Sequence, residues 1–167
     1  MTMKKMFLRL IPVAILAAVV FAVGCSSSQT KPDTDIPTGG PSVTEDALGN
    51  SDQGKAMGMQ TVHFPYDSFA LDEAGKATLK ANADIMNANA SVKIQIEGHC
   101  DQRGGIQYNI ALGEKRANAA KNFLVEQGVK ADRISTISFG KEHLLDNAES
   151  EEAYAKNRRA NFVIVAK

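Results

Sequence analysis

Residues 92–128 read VKIQIEGHCDQRGGIQYNIALGEKRANAAKNFLVEQG, and two different periods follow one another within them. Val92, Ile94 and Ile96 alternate with Lys93, Gln95 and Glu97, the two-residue rhythm of a half-buried strand. From Ile106 the rhythm changes. Leu112, Arg116, Ala119, Ala120 and Phe123 fall at i, i+4, i+7, i+8 and i+11, one face of a helix that the spacing predicts over 106–126. Gly128 closes it. The glycine-rich residues 98–105 form the turn between strand and helix.

Outward from this pair the pattern repeats. Residues 61–64 read as a first strand stopped by Pro65. Leu79, Ala83 and Met86 recur at helical spacing over 72–87, with Asp72 as a plausible N-cap. Residues 134–139 give a third strand ending at Gly140, residues 151–157 a short helix and residues 160–165 a last strand. The order β-α-β-α-β-α-β implies a layered α/β or α+β sandwich in one domain over 61–167. No internal repeat is visible.

On the N-terminal side the composition shifts. Residues 26–60 are rich in Ser, Thr, Pro, Gly and Asp without a sustained apolar period, so they are expected to form a tether rather than a core. Extended, such a tether reaches ~120 Å; as a coil its root-mean-square span is ~30–35 Å. Ahead of it, Lys4, Lys5 and Arg9 precede an apolar run over 11–23 that is interrupted by Pro12. The run is too short for the ~20 apolar residues of a membrane-spanning helix, and the layout is that of a secretory signal peptide over 1–24. Ala22-Val23-Gly24-Cys25 resembles a lipobox, which implies that Cys25 becomes the first mature residue and carries acyl chains. Ser26 after it implies sorting to the outer membrane. Several acyl chains, at ~0.8 kcal/mol per buried CH₂, make a far firmer anchor than one.

The full chain of 167 residues has 19 basic and 19 acidic groups. Residues 1–24 hold three of the basic groups and no acidic one, which leaves 16 against 19, a mature net charge of −3. That balance argues against nucleic acid as a partner. Cys25 and Cys100 are the two cysteines. With Cys25 lipidated, Cys100 has no partner, and the fold depends on its core rather than on disulfides.

The densest chemistry lies between Glu97 and Arg116. Arg116 stands on the core-facing stripe of the long helix, where a poorly solvated guanidinium calls for a carboxylate. Asp101, in the turn, is the obvious candidate. Two readings stay open on the residues alone: a structural Asp101–Arg116 salt bridge, or two halves of a site in which Asp101 takes an ammonium and Arg116 a carboxylate.

Residues 97–104 (EGHCDQRG) followed by 108–117 (YNIALGEKRA) resemble the signature of the peptidoglycan-associated lipoproteins, within the group that shares the C-terminal domain of outer membrane protein A. Residues 138–142 (SFGKE) and 154–160 (YAKNRRA) extend the resemblance across roughly 60–166. It implies an α+β fold with helices packed on a mixed four-stranded sheet. It also implies non-covalent binding of the diaminopimelate-bearing stem peptide of peptidoglycan, with no catalysis, and a place in the Tol-Pal envelope system. Asp101 would engage the ligand's ammonium and Arg116 its carboxylate. Arg158 would lie beside the same pocket, Asp67 after the first strand, Arg103 at the rim and Leu112 in the wall. The implied partners are peptidoglycan, the outer membrane through the lipid, and a TolB-like propeller protein with other Tol-system proteins. Cys100 stands where the family usually has Thr or Ala, and Gln102 replaces a frequent Glu. Gly105-Ile106 replaces Thr/Ser-Pro, and residues 142–152 lack a common Lys-Pro pair.

Other features are weaker. His99-Cys100-Asp101 superficially suggests a nucleophile with its base, but neighbours in an extended segment point to alternate sides and cannot form a relay. His63, His99 and His143 have no zinc spacing, and Asp67, Asp72 and Asp84 no calcium-loop spacing. No metal or cofactor is expected. Glu149-Ser150-Glu151-Glu152 reads as a solvated helix start, and the methionines near position 57 as tether or edge packing.

Overall fold

The computed structural model describes residues 48–167. The expected signal peptide over 1–24, the lipidation of Cys25 and the tether as far as residue 47 lie outside the described residues.

The chain alternates strands and helices in the expected order. Strand β1 (Val62–His63) leads to helix α1 (Glu73–Ala88), β2 (Lys93–His99) and α2 (Ile106–Glu126). A single 3₁₀ turn, Ala131–Arg133, precedes β3 (Ile134–Gly140), α3 (Glu151–Asn157) and β4 (Arg159–Ala166). The sheet is mixed, in the order β1-β4-β2-β3. β2 and β3 are parallel, because α2 carries the chain back along the sheet between them, whereas β4 runs antiparallel to both β2 and β1. This is the α+β arrangement expected.

Local chemistry sets the helix ends. Asp72 caps α1, its Oδ1 accepting from the Gly75 amide at 2.7 Å. Arg133 closes the other end, donating to the carbonyls of Met86 and Asn89 at 2.8 and 2.7 Å and to that of Val92 at 2.8 Å. Helix α2 stops where Gly128 takes φ +92°.

The helices cover one face of the sheet. Ile94, Ile96, Ile134, Phe162 and Ile164 pack with Leu79, Ala83, Met86, Ala117, Ala120 and Leu124 in one core. The buried stripe of α2 runs Asn109, Leu112, Gly113, Arg116, Ala117, Ala120 and Leu124. The expected stripe is therefore rotated: Ala119 and Phe123 lie at its edge, and Leu124 takes the central place.

Two expectations are corrected. β2 is not half-buried. Gln95, Glu97 and His99, on its second face, are as enclosed as Ile94 and Ile96. The second correction supplies part of the reason. Residues 48–60, expected in the tether, belong to the domain. The Leu48 and Ser51 amides donate to the Ile164 and Phe162 carbonyls, and the Ile164 amide returns a bond to Gly49. This segment thus extends the two-residue β1 along the outer edge of β4. Ala56 and Met59 enter the core fully buried. Ser51 and Asp52 reach over the second face, where Ser51 Oγ and the Asp52 amide bond Asn161 Oδ1 at 2.9 and 3.1 Å. Asp52 Oδ2 also accepts from Arg159 Nε at 2.7 Å. Backbone pairing and a buried ion pair hold a segment whose composition alone could not.

Candidate functional site

The site lies at the end of the sheet where β2 finishes, β1 has just turned and β4 begins. Glycines bring α2 to it. A Cβ on Gly98 would lie 1.8 Å from the Gly113 carbonyl oxygen, so helix and strand touch backbone to backbone. One turn further along α2, Arg116 descends into the end of the sheet.

Arg116 is completely enclosed and has no carboxylate partner among the described residues. Its Nε donates to the Ser68 carbonyl at 2.8 Å, Nη1 to that of His99 at 2.8 Å and Nη2 to that of Pro65 at 3.1 Å. The structural Asp101–Arg116 salt bridge, one of the two readings open on the residues, is not formed. Three carbonyls turned inward by the 65–68 loop and the end of β2 satisfy three of the five guanidinium N–H groups. Burial shifts the Arg116 pKa down from the ordinary arginine value. Arg116 therefore pins the 65–68 loop to the end of β2 and keeps a positive charge, with no carboxylate in direct contact, at the floor of the site.

Asp101 is nearly as enclosed, and it is paired with other arginines. Oδ1 accepts from the Arg103 amide at 3.1 Å and from Arg103 Nε at 3.2 Å. Oδ2 accepts from Arg103 Nη2 at 2.7 Å and from Arg158 Nη1 at 3.4 Å. Burial by itself would raise the Asp101 pKa, but the bonds from Arg103 and Arg158 outweigh it and hold the carboxylate below its usual range. Arg158 is in turn fixed by the Phe64 carbonyl at 3.0 Å and by Glu151 Oε1 at 2.8 Å.

The rim is aromatic. The Arg103 guanidinium lies between the rings of Tyr66 and Tyr154, 4.2 and 4.1 Å from their centroids, and reaches Glu151 Oε2 at 3.3 Å. The Tyr108 hydroxyl donates to Asp67 Oδ1, a bond that raises the phenol's pKa. Asp67 itself has φ +51°, a turn conformation that Asp tolerates better than most residues. Beneath the turn, buried Asn109 donates to the carbonyls of Arg103 and Gly105 at 2.7 and 3.2 Å.

These groups line a small open cleft of about 50 Å³, walled by Asp67, Asp101, Arg103, Leu112, Arg116 and Arg158, with Tyr66, Tyr108, Asn109 and Cys100 among its other walls. All six residues singled out in the sequence meet there. Three arginines against two aspartates suit a small molecule carrying carboxylate and ammonium groups together. The roles of Tyr66, Tyr108, Tyr154, Asn109 and Glu151 were missed. Tyr108, Asn109 and Tyr154 stand in the blocks that carry the resemblance, without a role; Glu151 is the solvated helix start expected, with Ser150 capping α3, and it is also the acidic partner of two site arginines.

His99, Cys100 and Asp101 do not act together. Cys100 Sγ is buried 3.4 Å from the Asn109 carbonyl, and burial pushes its thiol pKa up. His99 lies on the second face of the sheet, stacked on Phe139, whose ring stacks in turn on His143. Among the described residues no cluster of three or more His, Cys, Asp or Glu side chains could hold a metal ion.

Residues 63–158 match the OmpA family. The chain is 37% identical over 148 residues to the peptidoglycan-associated lipoprotein of Pasteurella multocida, covering 89% of each chain. It is 32% identical over 157 residues to the protein of the same name from Pseudomonas aeruginosa, covering 89% of this chain and 93% of that one. Among solved structures, the peptidoglycan-associated lipoprotein from Burkholderia pseudomallei is similar with a TM-score of 0.61 at 35% identity, over 62% of this chain and 88% of that one. The C-terminal domain of Helicobacter pylori MotB shares the fold, with a TM-score of 0.61 at 21% identity over 66% of this chain and 88% of its own.

Proposed function

The chain belongs to the OmpA family and, within it, to the peptidoglycan-associated lipoproteins, and on that premise we propose that it binds peptidoglycan non-covalently and links it to the outer membrane. Cys25 is the lipid anchor, and the ligand is the diaminopimelate-bearing stem peptide. The observation that carries this reading is the convergence of Asp101, Arg116 and Arg158 on one cleft. An amino acid head group with its own ammonium and carboxylate complements such a site, through charge-assisted bonds roughly twice as strong as neutral ones. Asp101 serves the ammonium. Arg116, with two N–H groups not engaged by carbonyls, and Arg158 serve the carboxylate. Asp67 and Leu112 complete the walls, and no catalytic step is involved.

The test is pull-down by isolated sacculi. Asp101→Asn should reduce capture at least tenfold while unfolding remains cooperative. Unchanged capture would sink the reading. Arg116→Ala is the poorer probe, because it also releases three buried carbonyls.

A second reading is favoured by the rim. Tyr66, Phe69, Ile106 and Tyr108 are each about half exposed or more around the cleft, and aromatic anchors of this kind are typical of protein interfaces. A TolB-like propeller protein of the Tol system would dock there in alternation with the wall. Competition between that protein and sacculi for the domain tests it; simultaneous binding excludes a shared site.

A further inference from the structure

The carboxylate that should receive a ligand's ammonium is already full. A carboxylate offers about four lone-pair positions, and Asp101 accepts four N–H groups: the Arg103 amide, Arg103 Nε and Nη2, and Arg158 Nη1. Asp101 is also only 4% exposed. An incoming ammonium can reach it only by taking the place of one of these donors.

The four are not equally replaceable. The Arg103 amide is part of the turn that Asn109 braces from below. Arg158 is buried and held from two other directions, by the Phe64 carbonyl and Glu151. The Arg103 side chain is different. It is one-third exposed, and its guanidinium is stacked on two aromatic faces rather than locked by further hydrogen bonds from the core. A second carboxylate, Glu151 Oε2, already lies 3.3 Å from its Nη1. Moving from Asp101 toward Glu151 would keep the guanidinium charged, paired and stacked throughout.

We propose that Arg103 is an internal stand-in for the ligand's ammonium, and that binding at this cleft is an exchange in which the ligand takes Asp101 and Arg103 shifts to Glu151. The inference rests on the ligand reading above and adds to it the specificity of the step. The displaced bond is a bidentate guanidinium fork, stronger than a single ammonium contact. A plain amine therefore gains little, and a ligand must bring a carboxylate to the arginines at the same time. Because the binding-competent arrangement is the minor one in the free protein, apparent affinity is reduced by the fraction in which Asp101 is open.

The experiment uses the full chain in detergent and a synthetic stem tripeptide ending in diaminopimelate, titrated by calorimetry and by the Arg103 Nε–H resonance. Arg103→Gln should bind the tripeptide roughly three- to tenfold more tightly than wild type. Arg103→Lys, which keeps the charge but lacks the fork, should also tighten binding, by less. In the wild type the Nε–H resonance should move as ligand is added. Weaker binding by Arg103→Gln, tightening by Gln without any by Lys, or a resonance that stays fixed at saturation each overturns the exchange. Binding by wild type together with any of these leaves the ligand reading intact, whereas no binding by any of the three proteins overturns both. If Arg103→Gln does not fold, the lysine variant and the resonance decide alone.

Discussion

A methyl group on Gly98 would sit 1.8 Å from the carbonyl oxygen of Gly113, and one on Gly113 would sit 2.3 Å from Ser138 Oγ. The closeness of β2, β3 and α2 at this level places Arg116 at the floor of the cleft. Gly98→Ala should therefore destabilise the domain by at least the upper end of the ~1–3 kcal/mol usual for overpacking, read as the shift in urea midpoint. Gly105→Ala, where an added Cβ meets nothing within 4 Å, should cost about 1 kcal/mol or less, the scale of a lost N-cap preference.

Arg116 supports the carbonyls of Pro65, Ser68 and His99 at once. Arg116→Met should lower stability by at least about 3 kcal/mol, since buried acceptors left unmade cost ~1–3 kcal/mol each. Asp101→Asn should cost less than half as much. Chemical denaturation of the two variants side by side checks the ranking; equal losses would mean that Arg116 is not the keystone of the 65–68 loop.

The boundary of the folding unit gives a third expectation. A chain beginning at residue 61 should be markedly less stable than one beginning at 48, because it lacks the backbone pairing to β4 and the buried Ala56 and Met59. Within the longer chain, Asp52→Ala strands Arg159, itself 3% exposed, and should cost ~3–5 kcal/mol. Thermal melts of the three proteins are sufficient.

His99 sets a pH dependence. It is buried with both ring nitrogens unbonded, its Nε2 3.5 Å from Glu97 Oε2 and too poorly aligned for a hydrogen bond. Desolvation lowers its pKa despite the opposing pull of Glu97 and, more remotely, Asp52, with Arg159 adding to the lowering. A folded-state pKa below the unfolded value of about 6.5 means that the unfolded chain binds more protons in between. Stability is then complete above pH ~6.5 and falls as the pH drops toward the folded pKa. The wild type should lose more stability between pH 7 and pH 5 than His99→Phe, in which the group cannot titrate while the stack on Phe139 and His143 persists. Parallel slopes would refute the assignment.

Much of this was legible in the chain. The bounds of α2 follow from a long apolar period with a glycine beyond it, and the placing of Arg116 on the buried side follows from the same period. Its partners do not. A guanidinium can be satisfied by carbonyls, and those of Pro65 and Ser68 are 51 and 48 residues away, on a loop with no periodic signal. The Arg103 partner of Asp101 is likewise not legible, because helical spacing says nothing about a turn folding Arg103 back on its own neighbour. Residues 48–60 escaped for a related reason. Edge pairing uses the backbone, which composition does not report, and only Ala56 and Met59 mark the segment's apolar side.

The course of that segment has a mechanical consequence. Leu48 pairs with Ile164, which faces Ile94 near the start of β2, whereas the cleft opens beyond His99 at its finish. Leu48 and the cleft thus sit at opposite ends of the sheet, roughly 20 Å apart along a strand. Tension between a chain held at its N-terminus and a ligand held at Asp101 runs parallel to β4. Residues 48–51 would then be loaded in shear, with their bonds to β4 and the Asp52–Arg159 pair strained together rather than peeled open one after another. The same bonds pulled crosswise would part singly, so the domain should bear far more force along this axis than across it.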